Sequence, residues 1–87
     1  MAYRITIKPS AARALAKLPA DHRRRIAATV DALAGNPRPA GVEVLEARER
    51  LYRVRTGDYR ILYQIQDAVL VVLVVRIGHR REIYRHV

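Results

Sequence analysis

"RERLYRVRTGDYRILY", residues 48 to 63, holds two alternating runs on either side of Gly57-Asp58. A glycine at the first loop position accepts the positive φ that a two-residue type II′ hairpin turn demands. Folding back at this turn opposes Thr56 to Tyr59, Arg55 to Arg60, Val54 to Ile61 and Arg53 to Leu62. Directly opposed residues share a face of the sheet. One face then carries Arg53, Arg55, Arg60, Leu62 and Gln64, and the other Tyr52, Val54, Ile61, Tyr63 and Ile65. A slip of one residue would mix the two sets, so the pattern specifies its own register. The apolar face is expected on a core and the arginine face open. Arg50, Arg53, Arg55 and Arg60 would then gather like charges around one turn, which points to an anionic ligand. The plainer reading is a charged hairpin surface that deters sheet-to-sheet aggregation.

Working outward, "YRITI" (3 to 7) alternates and reads as a strand. Lys8-Pro9-Ser10 opens a helix, "SAARALAKL", with Ala11, Ala14, Leu15 and Leu18 on one face and Pro19 closing it. Asp21 is the expected N-cap of a second helix, "HRRRIAATVDALAG", which turns Ile26, Val30 and Leu33 inward and stops at Gly35-Asn36-Pro37. "NPRPAGVEVLEARE" (36 to 49) has no sustained period and reads as a connector. Beyond the hairpin, "VLVVLVVRI" (69 to 77) is apolar on both sides and belongs in mid-sheet, with "HRREIYRHV" following Gly78 as a basic tail or short helix. The expected architecture is β-α-α-β-β-β, a single α+β domain over residues 1 to 87: an antiparallel twisted sheet with a two-helix hairpin on one face.

Eighty-seven residues allow one modest core of marginal stability, to which a partner could add. No cysteine is present, which excludes disulfides and thiolate metal sites and suits the cytoplasm. "AVLVVLVV" (68 to 75) is too short to cross a bilayer, and the N-terminus reads as no signal peptide. Seventeen basic residues against eight acidic ones give a net charge of +9, and arginine supplies nearly all of it. A polyanion is the natural partner, and the guanidinium fork suits phosphate. His22, His79 and His86 stand in separate segments, the glycines form no phosphate loop, and Ser10 is the only serine. Neither a metal nor a cofactor is expected.

Arginine, tyrosine and a few acids suffice for one reaction, the cleavage of RNA by its own 2′-hydroxyl. That reaction needs a base, cations for the charge on the pentacoordinate phosphorus, and an acid for the departing oxygen. Arginine fills the second role but stays protonated and cannot fill the first. A tyrosine among arginines has its phenolate stabilised and becomes a candidate base. Glu43, an acid in the connector, reads as a solvated loop residue.

"LYRVRTGDYRILYQI" followed by "RIGHRREIYR", with "LAKLP" and "LAGNP" as helix punctuation, resembles the RelE branch of the RelE/ParE superfamily of bacterial toxin-antitoxin toxins. The resemblance spans nearly the whole chain. It implies a ribosome-dependent mRNA endonuclease, an acidic RelB-like antitoxin as partner, and operator DNA reached through that antitoxin, with no membrane role. It further implies that Arg53 and Arg55 contact the phosphate, Arg60 stabilises the transition state, Arg80 serves the leaving group and Tyr84 activates the 2′-hydroxyl. Arg50, Arg81 and Arg85 join Arg53 and Arg55 as expected RNA-binding residues. The ParE branch, which poisons DNA gyrase without cutting RNA, is the alternative; a catalytically inert basic domain is a third.

Overall fold

The computed structural model describes residues 2–81. Its elements are β1 (Arg4–Ile7), α1 (Pro9–Ala16), α2 (Ala20–Ala32), β2 (Glu43–Glu46), β3 (Leu51–Thr56), β4 (Tyr59–Gln66), a 3-10 turn (Asp67–Val69) and β5 (Val71–His79). They form one five-stranded sheet in the order β1-β5-β4-β3-β2. The hairpin register is the expected one, from Thr56 opposite Tyr59 to Arg53 opposite Leu62, and Gly57 takes a φ of 59°.

Two features of the sheet depart from the sequence reading. β1 runs parallel to β5, so the sheet is antiparallel except at that edge. Two helices and three strands lie between these neighbours, ample length for the crossover that a parallel pair requires. The segment that reads as a connector contains β2, which pairs with β3. It is four residues long and has no buried residue, so no buried face imprints a period on its sequence. Its pairing comes from the edge that β3 offers.

The core lies between the sheet and the helices. Ala11 of α1 and Ile26, Val30 and Leu33 around α2 meet Val54, Ile61, Tyr63, Ile65, Val72, Val74 and Ile77 of the sheet. A bulge lets β5 keep its apolar side inward: Ile61 pairs with Ile77 but Tyr63 pairs with Val74, so the odd spacing of 74 and 77 still points both residues to the core. The Tyr63 hydroxyl donates to the Pro37 carbonyl at 2.7 Å, and burial pushes its phenol up to about 12.

Helix starts differ slightly from expectation. α1 begins at Pro9, whose missing N–H is no loss in a first turn, with Lys8 as its cap residue. In α2 the cap position belongs to Pro19, and Asp21 lies inside the first turn. There its carboxylate meets unpaired N–H groups and the positive end of the helix, and the His22 backbone N–H holds its pKa below the usual value. The arginine face is also less open than expected. Leu62 is only 2% exposed, flanked in register by Arg53 and Arg76, whose long aliphatic stems can cover an apolar neighbour while the charged heads reach outward.

Candidate functional site

Strand pairing sets Glu43 directly opposite Arg53. The Glu43 carboxylate accepts from the Arg53 guanidinium through Oε2 and from Arg55 through Oε1, the second at 3.0 Å. These contacts, Arg53 foremost, hold the Glu43 carboxyl below its ordinary pKa. The Arg53 side chain is 13% exposed and that of Arg55 59% exposed, so Arg53 forms the floor of the cluster and Arg55 its rim.

Arg60 opposes Arg55 across the hairpin, a like-charge pair that destabilises the sheet locally. Its guanidinium donates to the carbonyls of Gly57 at 3.3 Å and Tyr59 at 3.1 Å, inside its own turn. Arg80 follows the end of β5, and its backbone N–H donates to the Asp58 carbonyl at 2.8 Å, which fastens it to the hairpin loop. Burial first, and then the charges of Arg55, Arg53 and Arg80, lower the proton affinity of Arg60. Four arginines from three segments therefore share one field at the turn end of the sheet. Arg81 continues from Arg80, its N–H donating to His79 Nδ1 at 3.2 Å. Tyr84 and Arg85 lie outside the described residues.

Arg50 stands apart. It precedes β3, at the end of the strand away from the turn, and adopts a φ of 54°. Its guanidinium donates to Asp67 at 3.1 Å. Asp67 also accepts two bonds from Arg38, at 3.2 and 2.9 Å, and one from the Tyr3 hydroxyl at 2.7 Å. Arg38 and Tyr3 above all lower the Asp67 carboxyl to about 2. Arg38 also lies over the Tyr52 ring, 5.4 Å from its centroid, and Tyr52 stacks on Tyr63 at 5.9 Å.

The arginines supply a preorganised cationic surface suited to a phosphate and to charge that develops on it. No arginine can act as a base. Sequence reasoning missed the Asp67 network, whose members span 64 positions, and it gave Glu43 no partners because β2 carries no period of its own. The charged ends of "EVLE" beside two apolar residues were the available signal for an edge strand.

A family model described as the ParE toxin of type II toxin-antitoxin systems matches residues 5–84. Among curated proteins, the chain is 34% identical to the toxin RelG of Mycobacterium tuberculosis, over 98% of this chain and 99% of that one. It is also 34% identical to the toxin RelE of the same organism, over 95% of this chain and 87% of the other. The archaeal RelE of the RelE-RelB complex from Pyrococcus horikoshii has a similar structure, with a TM-score of 0.84 at 33% identity, covering 94% of this chain and 99% of that one. The chain belongs to the RelE/ParE superfamily of toxins of type II toxin-antitoxin systems, and its named relatives lie on the RelE side.

Proposed function

We propose that this toxin is a ribosome-dependent mRNA endonuclease that cleaves by attack of the RNA 2′-hydroxyl. The observation that carries this reading is the convergence of Arg53, Arg55, Arg60 and Arg80 on the turn end of the sheet. Arg53 and Arg55 bind the scissile phosphate and Arg60 stabilises the charge added as phosphorus becomes pentacoordinate. Arg80, held beside the loop by its backbone, faces the departing 5′-oxygen. Tyr84 follows three residues after Arg81 in the sequence, and its phenol takes the 2′-proton. Arg81 and Arg85 add contacts to the RNA backbone. Such a toxin works in the cytoplasm, and among the described residues no helix is long and apolar enough to cross a membrane.

The net charge of +9 supports an acidic RelB-like antitoxin as partner, with operator DNA bound through it. Binding to the folded toxin raises its melting temperature by mass action, and a mixture that melts no higher than the toxin alone contradicts the pairing.

The family model's ParE description favours a second reading, inhibition of DNA gyrase without RNA cleavage. One experiment separates the two: programmed ribosomes and a gyrase supercoiling reaction are each given the purified toxin. The nuclease reading expects cut mRNA bearing a 2′,3′-cyclic phosphate or its hydrolysis product and a 5′-hydroxyl, no cut where the scissile nucleotide is 2′-deoxy, and unaffected gyrase. Tyr84→Phe keeps the ring and all charges, so slowed cleavage with intact ribosome binding supports Tyr84 as base. Equal rates and identical pH profiles remove it from the mechanism.

A further inference from the structure

Glu43 has no task in the cleavage scheme, yet it touches two of the arginines assigned to the phosphate. A carboxylate and a phosphodiester are alike to a guanidinium: each is a monoanion that presents oxygen pairs to its N–H donors. The bonds that Glu43 accepts from Arg53 and Arg55 are those an RNA phosphate would accept on the same floor. Its carboxylate is a poor base, because the paired guanidiniums disfavour its protonated form. It is also displaceable. The Glu43 side chain is 41% exposed and rises from an edge strand with no buried residue, so swinging it outward breaks no core packing.

We infer that Glu43 is an internal competitor of RNA: its carboxylate occupies the phosphate position on Arg53 and Arg55, and RNA must displace it to bind. In the unliganded protein the carboxylate keeps two neighbouring cations ordered and partly neutralised. It also raises the threshold for binding, so that an isolated phosphate gains little and a correctly placed strand gains more. The inference rests on the reading of the arginine face as an RNA site.

The test uses the full chain and a short single-stranded 2′-O-methyl RNA, which cannot be cut, with affinity read by fluorescence anisotropy across a salt series. Glu43→Gln preserves shape and removes charge. It should bind about fivefold more tightly than wild type, the scale of an exposed ion pair no longer in competition. Its log-affinity should fall more steeply with log-salt, by up to about 0.7, because salt weakens the competing ion pair in the wild type and so offsets part of the loss there. Adding Arg55→Ala should remove part of that gain, since Arg53, the foremost partner of Glu43, remains. If Glu43→Gln binds no tighter while Arg55→Ala weakens binding, the competitor role is overturned and the arginine face stands. Unchanged affinity with slowed cleavage on ribosomes makes Glu43 a base and also overturns it. If Arg55→Ala has no effect in either background, phosphate does not bind there and both readings fall. Tighter binding by Glu43→Gln, in a protein whose wild type cuts no RNA, overturns the nuclease and supports the competitor.

Discussion

Strand β3 has an arginine cluster at each end, and the two are built on opposite principles. At its start, Arg38 and Arg50 share Asp67, the Tyr3 hydroxyl supplies a further bond, and Arg38 is seated over an aromatic ring. At the turn, Arg53 and Arg55 share the carboxylate of Glu43, Arg60 turns to carbonyls of its own loop, and the charges of Arg53, Arg55 and Arg80 act on Arg60 with Asp58 opposing them slightly. The first cluster ties the entry to β1, the segment after α2, the entry to β3 and the turn after β4 into one knot. The second keeps more positive charge than its acids can neutralise, and in a domain of marginal stability an uncompensated like-charge group opposes folding. How firmly the arginines are held, and not their number, separates a binding surface from a clamp: Asp67 takes three guanidinium bonds and a hydroxyl bond, whereas Arg60 and Arg80 have no carboxylate bonded to their side chains among the described residues.

Adjacent residues of β4 offer the sharpest way to break that distinction. Arg60→Ala and Arg80→Ala should each lower single-turnover cleavage on programmed ribosomes by at least ~100-fold, the scale of losing one preorganised charge contact. Thermal melting should show both variants as stable as wild type or more so, since each relieves repulsion. Ile61 is fully buried one position along, and Ile61→Ala should do the reverse, costing about 2–5 kcal/mol of stability. An Arg60→Ala variant that melts far below wild type would move Arg60 from the surplus cluster to the structural side.

The second cluster is far more legible in the sequence than the first. Hairpin register follows from Gly57-Asp58 and strict alternation, both local, so the grouping of Arg53, Arg55 and Arg60 can be read from the chain itself. Arg50 belongs to the same run of sequence but not to the same place, for the five residues to Arg55 span roughly 17 Å of strand. Its partner Asp67 lies beyond β4, and Arg38 and Tyr3 come from segments with no pattern linking them to it. The partners of Glu43 are hidden for a related reason: β2 is specified by the edge it joins and not by a buried face. Parallel pairing of β1 is equally nonlocal, because alternation within "YRITI" says nothing about the direction of its neighbour.

Asp67→Asn sharpens the comparison at the clamp. Asparagine can still accept the Tyr3 hydroxyl bond but cannot hold Arg38 and Arg50 as an anion does. The variant should melt several degrees below wild type while its cleavage changes little. Arg50→Ala should behave in the same way but more mildly, because Arg38 keeps both its bonds to Asp67. A cleavage defect in Arg50→Ala comparable to that of Arg60→Ala would make Arg50 an RNA contact after all and erase the contrast between the two ends of β3.

The smallest expected effect is the acid limb of stability. The Asp67 carboxyl is lowered from 3.8 to about 2 in the folded chain, chiefly by Arg38 and Tyr3. A depressed folded pKa means that the unfolded chain takes up the proton first, so the contribution of Asp67 is full above the unfolded value and is lost as pH falls toward the folded one. The stability difference between wild type and Asp67→Asn should therefore be constant at neutral pH, shrink between 3.8 and about 2, and level off below. Glu43 is depressed in the same direction by Arg53 and Arg55, so wild type and Glu43→Gln should also converge on acidification. Protein left unpaired with RNA or antitoxin is required for both titrations, because a bound anion would compete for the arginines of Glu43 but not for those of Asp67. Repeating them in high phosphate then separates the clusters: phosphate should abolish the difference at Glu43, where the arginines can exchange anions, and leave most of it at Asp67, where they are held. Equal sensitivity at both sites would mean that the clamp is as open as the binding surface.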